Sequence, residues 1–179
     1  MKITSGFTGR EQALIDLFAT TFTASEGAGE GALIGGLVQD LLTQTQDEDI
    51  RVFSAEHEGK AIGASIFTRL MYPDDPHVVF LLSPMAVVPA HQRQGVGRAI
   101  LSHALRALRS EGIQIALTYG DPNYYGRSGF VQITEDRARA PLPLSFPHGW
   151  IGLCLTGEQM PVLHGPSTCV SALNRSDVW

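Results

Sequence analysis

Apolar positions along the first quarter of the chain recur with the helical period. From Arg10 to Phe22, Leu14, Leu17, Phe18 and Phe22 fall on one helical face. From Gly31 to Leu42 a second helix is predicted, with Leu33, Leu37 and Leu41 on one side and Ile34 and Val38 beside them. Between the two, Thr23 to Gly31 is small and glycine-rich and reads as a mobile connection. The period then shortens. Ile50 to Tyr72 reads as a hairpin in which Arg51 to Glu56 goes up, Glu58-Gly59-Lys60 turns, and Ala61 to Met71 returns. Pro73-Asp74-Asp75-Pro76 is a further turn, and His77 to Val88 a third strand. The run Val78 to Leu82 is apolar on both faces, which implies a central position. Ser83-Pro84 interrupts it. Proline offers no N–H to a ladder, so a bulge or splay is expected there. Met1 to Ser5 reads as a short first strand.

The next segment changes the fold class. Gly95 to Ser110 is an amphipathic helix with Val96, Ile100, Leu101, Ala104, Leu105 and Leu108 toward a core. Arg106 and Arg109 suit its negative end and Gly112 the position just past it. Ile113 to Thr118 is then a buried strand. Strand, helix, strand in this rhythm implies a parallel pair with a right-handed crossover. The expected architecture is therefore mixed α/β (α+β), an antiparallel meander leading into one parallel βαβ unit. Val131 to Thr134 and Trp150 to Thr156 read as later strands around a proline-punctuated loop from Ala138 to Gly149. Val162-Leu163 and Thr168 to Leu173 read as further short strands.

Composition narrows the class. A chain of 179 residues is expected to form a single domain, with a core over about 10–156 and an extension over 157–179. No apolar run approaches the roughly 20 residues that span a bilayer, and the N-terminus has no secretory pattern. Cys154 and Cys169 lack metal-ligand spacing, so no metal is expected, and reduced cytoplasmic thiols are the expected state. The net charge of −5 argues against bulk nucleic-acid binding. A polyanionic ligand then needs local cations, and Arg93, Arg98 and Arg127 are placed to supply them. Asp47-Glu48-Asp49 reads as a solvated acidic turn.

The chemistry concentrates where the third strand meets the helix. The strand ends Met85-Ala86-Val87-Val88-Pro89, and Ala90-His91-Gln92-Arg93-Gln94-Gly95-Val96-Gly97-Arg98 leads into the helix. A glycine-bearing turn feeding a helix start aims free N–H groups, backed by the helix dipole, at one point. That makes an anion site suited to pyrophosphate. The dinucleotide-binding fingerprint is a poor fit, because position 100 is isoleucine where its third glycine belongs. A P-loop is excluded because Arg98 follows Gly97.

The pattern Gln92-x-x-Gly95-x-Gly97 after Val87-x-Pro89 resembles the acetyl-CoA signature of the GNAT N-acetyltransferases. Asp121-Pro122-Asn123-Tyr124-Tyr125-Gly126-Arg127-Ser128-Gly129-Phe130 resembles that family's second landmark. Begun one residue earlier at Gly120 and taken together with His148-Gly149-Trp150, this run is similar to the YhbS-like branch. The resemblance implies the GNAT fold, with a splayed cleft between its two parallel strands. It also implies acetyl-CoA as co-substrate, contacted by Met85, Ala86, Val87, Gln92, Arg93, Gln94, Gly95, Val96, Gly97 and Arg98. Met85 to Val87 would meet the pantetheine arm. Tyr125 takes the position of the family's catalytic tyrosine, a general acid for the departing thiolate. Tyr124 would face elsewhere.

No carboxylate stands at Phe80-Leu81-Leu82, where many relatives carry a glutamate base. His77, Glu56 and His148 are the remaining candidates, with water as the alternative. The expected activity is acetyl transfer to a small-molecule or peptide amine by direct attack in a ternary complex, with no nucleic-acid or membrane partner. A homodimer is left open. The rival readings are a non-catalytic acyl-CoA-binding module and an acyltransferase using a longer acyl group or a hydroxyl acceptor.

Overall fold

A computed structural model describes all residues, 1–179. The chain divides into two compact units. The first comprises Met1–Phe67 and Pro84–Ala104, the second Thr68–Ser83 and Leu105–Trp179. The elements are β1 (Lys2–Ser5), α1 (Glu11–Glu26), α2 (Ala28–Gln44), β2 (Ile50–His57), β3 (Lys60–Leu70), β4 (Val79–Val87), α3 (Val96–Ser110), β5 (Ile115–Tyr119), α4 (Pro122–Tyr125), β6 (Val131–Gln132) and β7 (Trp150–Cys154). The sheet has seven strands in the order β1-β2-β3-β4-β5-β7-β6. The pair β4–β5 is parallel, while β1–β2, β5–β7 and β6–β7 are antiparallel. No helix is long and apolar enough to cross a membrane.

In the first unit the hairpin forms as its turn chemistry requires. Glu58 (φ 50°) and Gly59 (φ 76°) are both left-handed, the signature of a tight two-residue turn that matches strand twist. Phe53 and Phe67 meet edge to face at 6.0 Å, both fully buried. Side chains of this size each contribute about 1.5–3 kcal/mol on burial. Arg10 fastens the start of α1 to β1 and β2. Its guanidinium donates to Thr4 (2.7 Å), Ser54 (2.9 Å) and Glu56 (2.7 Å), which satisfies the fully buried Ser54 hydroxyl.

The expected mobile connection from Thr23 to Gly31 is instead helical on both sides of one residue. α1 runs to Glu26, Gly27 breaks it at φ 99°, and α2 begins at Ala28. The small residues serve close packing. A Cβ on Gly31 would lie 1.8 Å from Thr23 Oγ1 and 2.7 Å from the Ala19 carbonyl oxygen, and one on Gly35 would lie 3.0 Å from Ala19 Cβ. Thr23 can rotate, but the Ala19 backbone cannot. Gly31→Ala is therefore expected to cost about 1–3 kcal/mol by forcing the helices apart. Gly36 lies on the same helix, and a Cβ there would have nothing within 4 Å. At that position alanine should stabilise by roughly 0.5–1 kcal/mol through helix propensity. Urea denaturation of both variants checks the opposite signs, and a Gly31→Ala protein as stable as Gly36→Ala would refute the packing account.

In the second unit, α3 ends in a Schellman motif. Gly112 (φ 82°) donates to Arg109 O at 3.1 Å and Ile113 to Leu108 O at 3.1 Å, with Leu108 and Ile113 both buried. β4 shows no break at Ser83-Pro84. The strand continues to Val87, and it is the ladder to β5 that stops, at Leu82↔Thr118. The proline, with no N–H to give, stands beyond that ladder.

β6 is shorter than expected, and Val162-Leu163 forms no strand. Thr168 to Leu173 makes one isolated bridge, Met71↔Thr168, and a 3-10 turn at Ser171–Leu173. Gly165 (φ 78°) and its proline neighbours prevent a regular ladder. This tail is held instead by Asp75, whose side chain is almost wholly buried. Asp75 accepts from His77 N (3.0 Å), His77 Nδ1 (2.6 Å) and His164 N (2.9 Å). Cys154 and Cys169 are free thiols.

Candidate active site

The first unit carries the end of β4, the glycine loop and the start of α3. Ala86 is buried, while Met85 and Val87 are half-buried. Gln92 folds back so that Nε2 donates to Val87 O at 2.9 Å, and Val88 N donates to Ile62 O at 3.0 Å. Pro89–His91 is a single 3-10 turn, closed further by Gln94 Nε2 donating to Ala90 O at 2.9 Å. Arg93 (φ 58°) and Gly95 (φ 83°) are both left-handed. Gly95 has open space around a would-be Cβ, so its backbone angle, rather than crowding, requires glycine.

The first helical bond of α3 is Ala99 N to Gly95 O at 2.9 Å. The N–H groups of Val96, Gly97 and Arg98 therefore have no acceptor within the helix, which is the condition for an anion site. Gln92, Arg93, Gln94, Gly95 and Arg98 are exposed there, whereas Val96 and Gly97 are buried. Val96 can serve only through its backbone. Gly63 of β3 is a residue the sequence reading missed. A Cβ there would meet Ile100, the Ala86 carbonyl and Val87 at 2.9–3.1 Å, so its absence lets β3 lie tight against this strand end. A glycine inside a strand pattern was the available signal.

The second unit carries Tyr125. Asp121 caps α4 by accepting from Asn123 N at 2.9 Å, with Pro122 at the first helical position. The last residues turn 3-10 and end at Gly129 in the left-handed region. The Tyr125 ring packs edge to face on Phe130 (5.7 Å) and Tyr124 (4.9 Å). It lies so close to Gly120 that a Cβ there would stand 2.8 Å from its ring. It lies near the Thr118 side chain, whose hydroxyl donates to Leu82 O at 2.9 Å. Tyr125 is thus held at the last rung of the parallel ladder. Burial raises its pKa well above the ordinary phenol value, Tyr124 and Asp121 add to the rise, and the nearby Thr118 side chain opposes it. Tyr124 faces outward as expected and is 42% exposed.

One residue further on, a cavity of about 530 Å³ opens at the end of β5. Tyr119, Asp121, Pro122, Ser145, Phe146 and His148 line it, with the Gly120 and Gly149 backbones between them.

Comparison with known proteins places this geometry. Residues 48–132 match the model of an acetyltransferase (GNAT) domain. The chain is 33% identical over 129 residues to the uncharacterized N-acetyltransferase YjhQ of Escherichia coli K12, spanning 69% of this chain and 71% of that one. The chain belongs to the GNAT acetyltransferase family. Two solved GNAT structures share the fold. The Escherichia coli YhbS structure, a complex with CoA, aligns with a TM-score of 0.82 at 21% identity, covering 98% of this chain and 92% of that one. A Brucella melitensis GNAT structure with acetyl-CoA aligns with a TM-score of 0.68 at 21% identity, covering 96% and 97%.

Within this GNAT chain the three candidate bases separate clearly. Glu56 is committed to Arg10 at 2.7 Å. His77 is oriented by Asp75 but stands five residues before Leu82, roughly 16 Å along an extended chain from the last rung of the β4–β5 ladder. His148 is exposed on the cavity wall. Thr118, beside Tyr125, was missed from sequence, because an ordinary buried strand threonine carries no signal by itself. Gly120 stands in the motif, and the structure adds its role, bare backbone against the Tyr125 ring.

Proposed function

We propose that this chain transfers the acetyl group of acetyl-CoA to a small-molecule or peptide amine by direct attack. The observation that carries the reading is the placement of Tyr125 beside Thr118, at the final rung of the β4–β5 ladder. The acceptor nitrogen forms a C–N bond to the acetyl carbon and the C–S bond breaks. The thiolate leaves with the electron pair, and the nitrogen gives up a proton to water. The loop from Gln92 to Gly97 binds pyrophosphate through the N–H groups of Val96, Gly97 and Arg98, with Arg93 and Arg98 as exposed cations beside it.

Tyr125 acts on the sulfur. A thiol titrates near 8.5 and the Tyr125 phenol well above 10, so complete proton transfer to the thiolate runs uphill. The residue therefore serves best as a hydrogen-bond donor to the charge growing on sulfur. Its raised pKa keeps that donor in place across the working range.

The experiment is a calorimetric acetyl-CoA titration followed by thiol release with an amine panel, run from pH 6 to 10. A lysine-type amine starts near pKa 10.4. With no carboxylate on the Phe80 to Leu82 strand to deprotonate it, kcat/KM should keep rising above neutrality. Absence of heat at millimolar acetyl-CoA refutes the binding reading. Binding without turnover of any amine identifies an acyl-CoA-binding module. A limb at pH 6–7 that vanishes in one His or Glu variant reveals a dedicated base.

A further inference from the structure

We infer that the cavity at the end of β5 is the acceptor pocket, and that it takes a cationic amine carried on an apolar, aromatic-sized body. The inference rests on the acetyl-transfer reading. Position is the first argument. Side chains alternate along a strand, so Thr118 and Gly120 lie on the face where Tyr125 packs, and Tyr119 points to the other. An amine held beside Tyr119 thus approaches from the face opposite the Tyr125 hydroxyl. Its nitrogen forms the C–N bond from one side while sulfur departs toward the donor on the other.

Chemistry is the second argument. The hydroxyls in the wall are already used. Phe146 N–H donates to the Tyr119 hydroxyl oxygen. Ser145 Oγ donates to Trp179 O at 2.6 Å, so the Tyr119 hydroxyl donates to Ser145 Oγ at 3.1 Å. Trp179 is fixed in turn by its indole N–H on Leu173 O at 2.8 Å, and it stacks on the Tyr119 ring at 6.3 Å. What the wall offers a ligand is therefore aromatic surface, the His148 imidazole and the Asp121 carboxylate. Tyr119 is held rigidly and Phe146 is 70% exposed. No Lys or Arg lines the cavity, and its one carboxylate is Asp121. Anionic acceptors are disfavoured, and an ammonium gains from both the carboxylate and the ring faces. A volume of about 530 Å³ suits a small molecule.

The test uses the intact protein, with 2-phenylethylamine and tryptamine set against ethylamine, spermidine and glucosamine. Thiol release at saturating acetyl-CoA should give an aryl-amine kcat/KM about tenfold above ethylamine. Phe146→Ala should collapse that ratio roughly three- to tenfold, chiefly through KM. Asp121→Asn, which preserves the α4 cap, should raise KM for every cationic acceptor. Saturation-transfer NMR of 2-phenylethylamine reads binding without turnover, and its signal should weaken in Phe146→Ala. Equal use of aryl and bare amines, or an NMR signal indifferent to Phe146, overturns the pocket assignment while leaving acetyl transfer intact. No thiol release with any amine refutes acetyl transfer, and the NMR comparison still decides whether the cavity binds aryl amines.

Discussion

Tyr125→Phe should lower kcat by about 10²- to 10⁴-fold and leave the acetyl-CoA Kd within a few-fold. The substitution removes one hydroxyl and keeps the ring. Packing on Phe130, Tyr124 and the bare Gly120 backbone is retained, so the fold is not at issue. What disappears is the Tyr125 O–H beside the last rung of the ladder, where Thr118 donates to the Leu82 carbonyl. Tyr124→Phe is the control. Its side chain is 42% exposed and turned outward, so its loss should change turnover little. Steady-state thiol release, with Kd from calorimetry, separates the two variants. If Tyr124→Phe is the damaging change, the assignment of roles on this short helix is reversed.

Gly95→Val should abolish most of the stabilisation that acetyl-CoA confers. A ligand binding only the folded state adds roughly 2.7 kcal/mol at a hundred times Kd. The mechanism is conformational. Gly95 stands at φ 83°, which a β-branched residue adopts only with strain, and nothing lies within 4 Å of its would-be Cβ. Valine therefore moves the backbone that sets the Val96, Gly97 and Arg98 N–H groups, without a steric clash. This distinguishes it from a crowding account. Asparagine tolerates the left-handed region, so Gly95→Asn should keep most of the ligand-induced melting shift. Equal loss in both variants would mean that the space itself matters, through a phosphate passing close to the backbone.

Much of the architecture was legible because periodicity reports which face is buried. The hairpin, the third strand, the α3 face and the crossover to β5 all follow from it, as does the mixed topology. Glycine was harder, because one residue type answers several demands. At Gly59 and Gly112 its left-handed angle was readable from the neighbouring pattern. At Gly31 and Gly35 it marks contact between two helices, which no local pattern reports, and the same residues imitate a loose connection. The tail was misread because Val162-Leu163 and Thr168 to Leu173 have strand composition but are pinned by distant partners. The loop and Tyr125 were visible as a motif. Their surroundings were not, since Thr118, Tyr119 and Phe146 act through contacts between separated segments.

The buried Asp75 carboxylate bears on how acid activity data are interpreted. Burial raises its pKa, but the hydrogen bonds from His77 and His164 outweigh that and hold it below 3.8. A lowered folded pKa means the contribution is complete above 3.8 and disappears as pH falls through the folded value. Acid then releases the grip on His164, and with it a tail whose far end places Trp179 behind Tyr119. Beyond protonation of the acceptor amine, part of the activity lost in strongly acidic buffer would thus have a mechanical origin, accompanied by a change in tryptophan emission. A titrating catalytic group would leave that emission still.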